Sequence, residues 1–339
     1  MSITINDIAE RAGVSLATVS RVMNNSGYVK EETRKKVMDI IEELNYVPNA
    51  IARSLSTSKS NSIGVIVPDI NNPFFGEVIK GITDVADQND LNIILFDADE
   101  SIKKEIKSLK VLKEQRIQGV LIAPTSSEDD LNSEYIKTIE SLNVPIVWID
   151  SNVKYTNFSG VFVNSLKGTY DGIEAFIKEG HRDIAIITGR MNSWSAQERL
   201  LGYKKALAMN NIPLKDEYML YGNYKQESGY RLTKEILKME KRPTAIFVCS
   251  NMMTLGCIKA LKEENIKIPD EMAIIGFDNI DILNVVGMNI SFVVGPSIEL
   301  GRASMKVLLD ILNQKDSNEI KKITLMTDLQ LNGSERYLR

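Results

Sequence analysis

Arg21 and the small or polar residues around it form the chain's clearest chemical grouping. Ala17, Ser20, Arg21 and Asn24 recur at i, i+3, i+4 and i+7, so a helix would set them on one outward face. Such a face can read DNA. Ala17 is small enough to let the helix sit deep in a major groove, and Arg21 can make the bidentate pair to the O6/N7 edge of guanine. Thr18, Ser20 and Asn24 can bond phosphate oxygens and fix the register. On spacing alone, the same residues could instead belong to a three-helix cap on an enzyme.

A second grouping follows the apolar runs: Asp69, Asp97, Asp99, Asp150, Ser250 and Asp278. In open parallel sheets, ligands bind outside the carboxyl ends of the strands, so these residues are candidates for a ligand site. Metal and catalytic chemistry find no footing. With one histidine, His181, and two cysteines, Cys249 and Cys257, no zinc set of N and S ligands is plausible. A Ser-His-Asp site would have to use His181 alone, and that residue follows Gly180 at a helix-to-strand turn, where a structural role is expected. Neither G-x-G-x-x-G nor G-x-x-x-x-G-K-[ST] occurs, so no phosphate cradle is indicated. We expect no metal, no cofactor and no enzymatic activity.

The elements that must position these residues can be read from periodicity. Residues 1–47 contain no proline and suggest three short helices. Thr4 can cap the first, with Asp7 three residues on. Ile5, Ile8, Ala9 and Ala12 form its apolar stripe, and Gly13 can end it in the left-handed conformation. Ser15 can cap the second helix, whose Val19, Val22 and Met23 face inward. Val37, Ile40, Ile41 and Leu44 line the third. The segment from Pro48 to Leu55 is helical by propensity but too short to be stable alone. A serine-rich linker follows to Ser62. Beyond it, apolar runs at 63–67, 92–96, 119–122, 145–149, 184–187, 245–248 and 272–277 alternate with helical stretches, which predicts βαβ units and parallel sheets. More than 270 residues of this pattern suggest two similar subdomains.

Composition bounds the reading. The 339 residues are 43% hydrophobic and 25% charged, ordinary for a globular protein. No window approaches 18 consecutive apolar residues, and the N-terminus lacks a basic region followed by an apolar run, so neither a membrane span nor a secretory signal is expected. Two cysteines fit a reducing cytoplasm. Net charge is −4, divided as +1 over residues 1–60 and −5 over the rest. Any DNA binding by the first segment must come from placement of charge, not its excess.

The residues themselves carry a resemblance. Thr4-Ile5-x-Asp7-Ile8-Ala9-x-x-Ala12-Gly13-Val14-Ser15-x-x-Thr18-Val19-Ser20-Arg21-Val22-Met23-Asn24 closely resembles the N-terminal motif of LacI-type bacterial transcription regulators. Thr33-Arg34, Asn45-Tyr46-x-Pro48-Asn49 and Ala52-Arg53-x-Leu55 continue it. Gly64-Val65-Ile66-Val67-Pro68-Asp69-Ile70-x-Asn72-Pro73-Phe74-Phe75, Gly180-His181, Pro243-Thr244-Ala245 and Gly276-Phe277-Asp278-Asn279 look like the family's core. The match spans essentially the whole chain.

The resemblance implies a helix-turn-helix domain at 1–47, a hinge helix and linker at 48–62, and an effector-binding, dimerising core at 63–339. The hinge helix would pair across a dimer in the minor groove, with Leu55 as the wedge that kinks the DNA; by spacing alone, Leu55 could equally pack on Ile51. The DNA-contacting set is then Thr4, Ser15, Leu16, Ala17, Thr18, Ser20, Arg21, Asn24, Asn49, Ala52 and Leu55. The core implied is a type I periplasmic-binding-protein fold of two Rossmann-like lobes, at about 63–161 plus 293–323 and about 162–290 plus 324–339. Asp150, Arg199 and Asp278 fall where relatives grip polar ligand groups, and Tyr224 where they place a stacking aromatic. Phe74 or Phe75 can add a second ring, with one of the two expected to reach the cleft. Trp194 could face the cleft or pack within a lobe, and Ser250 completes the set.

Some positions depart from the family pattern. Lys30 replaces the small residue that usually caps the third helix. Ser250-Asn251 stands where many relatives have Asn-Asp or Asp-Asp. Residues 289–296 depart from the family's Pro-x-Leu-Thr-Thr-Val stretch, on a strand expected to cross back between the lobes. The implied function is a DNA-binding regulator, a repressor, acting as a homodimer on a pseudo-palindromic operator. One arginine facing two carboxylates suits an uncharged, hydroxyl-rich effector such as a sugar. A catabolite-control-type regulator answering a phosphorylated carrier protein is the alternative. A solute-binding protein fits less well, because the helix-turn-helix speaks against it.

Overall fold

A computed structural model describes residues 3–23, 25–44, 46, 60–127, 133–151, 153, 156–313 and 319–337. Asn24, Asn49, Ala52 and Leu55, and with them most of the expected hinge, lie outside the described residues. The chain divides into two units, Met1–Ser60 and Asn61–Arg339.

The first unit holds α1 (Ile5–Ala12), α2 (Leu16–Met23) and α3 (Glu31–Glu43). Its caps follow from residue chemistry. Thr4 and Asp7 cap α1 reciprocally, the Thr4 N–H donating to Asp7 Oδ2 at 2.7 Å. The Ser15 hydroxyl accepts the Thr18 N–H at 3.2 Å and starts α2 after a tight turn. Lys30 makes no side-chain cap bond at α3, since an ammonium cannot accept from a backbone N–H. Ile8, Ala12, Val19, Val22, Val37 and Ile40 close a small core, and the Arg11–Glu43 pair at 2.8 Å ties α1 to α3.

The second unit alternates strand and helix. In chain order it runs β1 (Ser62–Val67), α4 (Pro73–Asp87), β2 (Asn92–Asp97), α5 (Ile102–Glu114), β3 (Gly119–Ile122), α6 (Ser133–Glu140), β4 (Ile146–Ile149) and β5 (Ser159–Val163). It continues through α7 (Ser165–Glu179), β6 (Ile184–Thr188), α8 (Trp194–Met209), β7 (Met219–Tyr221), α9 (Gln226–Leu237), β8 (Ala245–Val248), α10 (Asn251–Glu263), β9 (Ala273–Phe277) and α11 (Asp281–Val285). β10 (Ser291–Val294), α12 (Ser297–Asn313), β11 (Lys322–Leu325) and β12 (Asp328–Gln330) complete it.

Among the described residues the strands form two six-stranded sheets, ordered β11-β5-β4-β3-β1-β2 and β12-β10-β9-β8-β6-β7. Pairing is parallel except between β10 and β12. Each sheet is covered on both faces, which explains why its strands read as near-continuous apolar runs. Val65, Val147 and Leu300 pack on one face of the first sheet, and Ile66, Trp148 and Leu109 on the other. Ile186, Phe247 and Ile275 centre the second core.

The chain passes between the sheets after β5, after β10 and after β11. The lobe limits drawn from sequence shift accordingly. Residues 293–294 belong to the second sheet, whereas 162–163 and 324–325 belong to the first. The return to the first lobe follows β10, at Gly295-Pro296. His181 is buried in the second lobe, its Nδ1 bonded to Thr244 Oγ1 at 2.8 Å and its Nε2 to the Glu335 carbonyl at 3.1 Å. Burial lowers its pKa despite that carbonyl partner, and its role is structural. Among the described residues no helix is long and apolar enough to cross a membrane.

Candidate functional site

The first unit presents its proposed reading face at the start of α2. Ser15, Leu16, Ala17 and Arg21 are exposed, and Thr18 and Ser20 are half-buried. Thr4 is exposed but engaged in the α1 cap. Thr18 turns its hydroxyl to Ser15 Oγ at 2.9 Å. Gly27, in the turn after α2, has φ of 69°, and a Cβ there would sit 3.5 Å from Arg21 Cδ. The Arg21 stem therefore runs along this turn, which steadies the side chain. Arg34 Nη1 bonds Asn25 Oδ1 at 2.8 Å and holds the same turn from α3. Tyr28 stands 87% exposed beside it. Gly27 and Tyr28 were not singled out from sequence, because a glycine or tyrosine in a turn is unremarkable without its neighbours.

In the second unit, loops at the carboxyl ends of both sheets line a cavity between the lobes. All eight residues expected at an effector site line it: Phe74, Phe75, Asp150, Trp194, Arg199, Tyr224, Ser250 and Asp278. Both phenylalanines reach it, contrary to the expectation of one. Their rings meet edge to face, with centroids 5.1 Å apart, and Phe74 also belongs to the first lobe's core, against which Phe75 packs. Asp69, Asp97 and Asp99 do not line it. Asp69 pairs with Lys225 at 2.6 Å, Asp97 accepts backbone N–H groups of Ile70 and Asp99, and Asp99 pairs with Lys104 at 2.8 Å.

Arg199, on α8, is 4% exposed. Its Nη1 donates to the Cys249 carbonyl at 2.6 Å, its Nε to Ser165 Oγ at 3.3 Å, and its Nη2 lies 3.9 Å from Asp278 Oδ2. The guanidinium stacks 3.6 Å from the centre of the Phe277 ring. Asp150 accepts the Val163 N–H at 2.9 Å. Burial pushes its pKa up to about 7, with Asp278 adding to the rise and Arg199 and the Val163 bond opposing it. Burial likewise pushes Asp278 to about 6 against the pull of Arg199. Both carboxyls can thus share protons with a bound hydroxyl near neutral pH.

Tyr224 lays its ring over Gly189, where a Cβ would lie 2.0 Å from Cζ. Its hydroxyl bonds Ser193 Oγ at 2.8 Å and Ser195 Oγ at 3.1 Å. Ser250 caps α10 by accepting the Met253 N–H at 3.2 Å, which leaves its hydroxyl hydrogen and one lone pair for a ligand. Asp150, Tyr224 and Asp278 all adopt φ between 47° and 67°. Left-handed backbone at non-glycine residues is costly, and its concentration around one cavity is a mark of a functional site.

Models of two known families match the chain. "Bacterial regulatory proteins, lacI family" covers residues 4–49, and "Periplasmic binding proteins and sugar binding domain of LacI family" covers 60–330. The chain belongs to the LacI family. Catabolite control protein A of Priestia megaterium is 34% identical, aligned over 93% of this chain and 94% of its own. The HTH-type transcriptional regulator RegA of Clostridium saccharobutylicum is 35% identical over 94% and 95%. The crystal structure of the lac repressor dimer bound to operator and the anti-inducer ONPF superposes with a TM-score of 0.88 at 26% identity, covering 99% of this chain and 100% of that one.

The LacI-family pattern did not single out part of this cavity wall. Glu100, from the first lobe, forms an ion pair with Arg190 of the second, and both line the cavity. Pro124, Thr125 and Ser151 also line it. The Thr125 N–H donates to Glu105 at 2.9 Å, and Tyr135 donates to the other oxygen of that buried carboxyl. Glu105, its pKa raised by burial, therefore anchors a wall of the cavity from behind. The lobes also meet through Lys225–Asp69 and through the Ser127 N–H, which donates to the Asn192 carbonyl at 2.9 Å.

Proposed function

We propose that the chain is a repressor whose operator affinity is set by a neutral, hydroxyl-rich effector, most simply a sugar, bound in the cavity between the lobes. The observation that carries this reading is the balance of charge in the wall. Arg199 faces Asp150 and Asp278, and Arg190 is matched by Glu100. Two cations set against three carboxyls leave no surplus positive charge for an anionic ligand and supply both donors and acceptors for hydroxyls. Tyr224, Phe75 and Trp194 add rings that can cover a sugar's apolar face. The description of the matched core model as a sugar-binding domain agrees.

Arg21 reads a base in the major groove, with Ser15, Leu16, Ala17, Thr18 and Ser20 placing α2 against the backbone. The chain acts as a homodimer on a pseudo-palindrome. An apolar patch at Ile282, Val285 and Val286, with Val285 78% exposed, suits the surface of a second copy. The effector shifts the equilibrium between two lobe arrangements, by no more than its differential affinity for them, and the hinge segment passes that shift to the DNA-reading unit. Isothermal titration with a sugar panel, with and without operator duplex, tests the reading.

A further inference from the structure

We propose that Glu100 and Arg190 determine which hydroxyl pattern the effector must carry. One effector hydroxyl donates to the Glu100 carboxylate and accepts from the Arg190 Nε–H, and Ser151 Oγ takes a further effector oxygen. This rests on the reading of the cavity as the effector site.

Among the described residues, Arg190 and Ser151 line the cavity and carry buried polar atoms without a hydrogen-bond partner. Arg190, which lines the cavity, uses one end of its guanidinium for the Glu100 pair, yet its buried Nε has no hydrogen-bond partner among the described residues. Ser151 is 7% exposed and lines the same cavity, and among the described residues its Oγ has no partner either. A buried donor without an acceptor is destabilising, and interiors rarely tolerate one unless a ligand or an ordered water supplies the bond.

The loop that aims Glu100 is itself strained. Asp99 and Glu100 both sit in the left-handed region, with φ of 44° and 58°. The Glu100 N–H is bonded to the Pro68 carbonyl at 2.7 Å, and the Asp99 N–H to Asp97 Oδ1 at 3.1 Å. Two consecutive strained residues fixed by specific bonds point to a side chain whose position is used.

The chemistry selects the ligand group. A carboxylate or phosphate at this spot would face Glu100, and an ammonium would face Arg190. An aliphatic group would leave both partners unpaired, which sites built for hydrogen bonding reject strongly. A hydroxyl satisfies both, because one oxygen donates and accepts. Glu100 comes from the first lobe and Arg190 from the second, so a hydroxyl bonded to both groups engages both lobes at once.

The test uses the full-length chain with D-glucose, D-galactose, D-xylose, D-ribose, cellobiose and lactose, read by thermal shift and titration calorimetry. Glu100→Gln and Arg190→Lys should weaken the best-bound sugar by about tenfold or more and change the order of preference across the panel. Ser151→Ala breaks no described protein–protein bond, so it stays informative if the other variants fail to fold, and it should weaken binding by about fivefold or more. Affinities within about twofold of the wild type, in the same order, would overturn the proposal and leave the pair a structural link. If no panel sugar binds the wild type, the sugar reading of the cavity falls, and this proposal with it. If sugars bind and Arg199→Lys abolishes binding while these variants do not, this proposal alone is wrong.

Discussion

Arg199 holds its guanidinium 3.6 Å from the centre of the Phe277 ring, with Asp278 as the next residue in the chain. The cation is fixed by packing as much as by charge, and it joins α8 to the ends of β8 and β9. Truncating it would remove a carbonyl partner, a stacking partner and a countercharge together. Arg199→Lys is therefore the cleaner probe. It should weaken effector binding by roughly 10- to 100-fold through loss of planar, charge-assisted hydrogen bonds, and it should lower the melting temperature. Calorimetric titration alongside thermal unfolding separates the two effects.

The raised carboxyls make stability depend on pH in a defined direction. Asp150 and Asp278 hold protons in the folded state up to about 7 and about 6, whereas unfolded aspartate releases them near its ordinary value. Their contribution to stability is fully present below that ordinary value and is lost as pH rises through 6 and 7. Asp150→Asn keeps the shape without the titration. Its melting temperature should gain on the wild type as pH rises from 5 to 8. A constant difference across that range would show that Asp150 is ordinarily ionised.

Arg21→Ala should cost roughly 1–3 kcal/mol on the operator and flatten specificity at one base pair per half-site. Lys35→Ala should act weakly and nearly uniformly across sequences. Electrophoretic mobility shifts on operator and random duplex provide the comparison. If Arg21→Ala weakened both duplexes equally, its role as base reader would be withdrawn.

Residues 61–339 should dimerise without the DNA-reading unit, since each lobe closes its own core. Val285→Arg should shift that fragment toward monomer in analytical ultracentrifugation, because an unpaired charge in an apolar contact is costly. An unchanged sedimentation coefficient would move the interface elsewhere.

Much of this architecture was legible in the sequence, for physical reasons. The Thr4–Asp7 cap, the stripe through Ile8 and Ala12, and the apolar strand runs are local signals, and the structure carries them as read. Asp150 and Asp278 could be placed because each follows a strand, and Tyr224 because the family resemblance put an aromatic there. Glu100 and Arg190 could not. Each is an ordinary charged residue in its own loop, and only the folding of the two lobes brings them together. The crossover positions shifted for a similar reason. Residues 293–294 are apolar whichever sheet they join, and pairing decides between them.

A repressor of this kind requires linkage between the cavity and the operator. The most direct measurement is the operator dissociation constant of the full-length chain, by fluorescence anisotropy, with and without a saturating sugar identified by calorimetry. It is paired with that sugar's affinity for free and operator-bound protein. The account predicts a change in operator affinity of about 5- to 150-fold, with sugar affinity changing by the same factor, as thermodynamic reciprocity requires. Sugar binding that leaves operator affinity unchanged would contradict it.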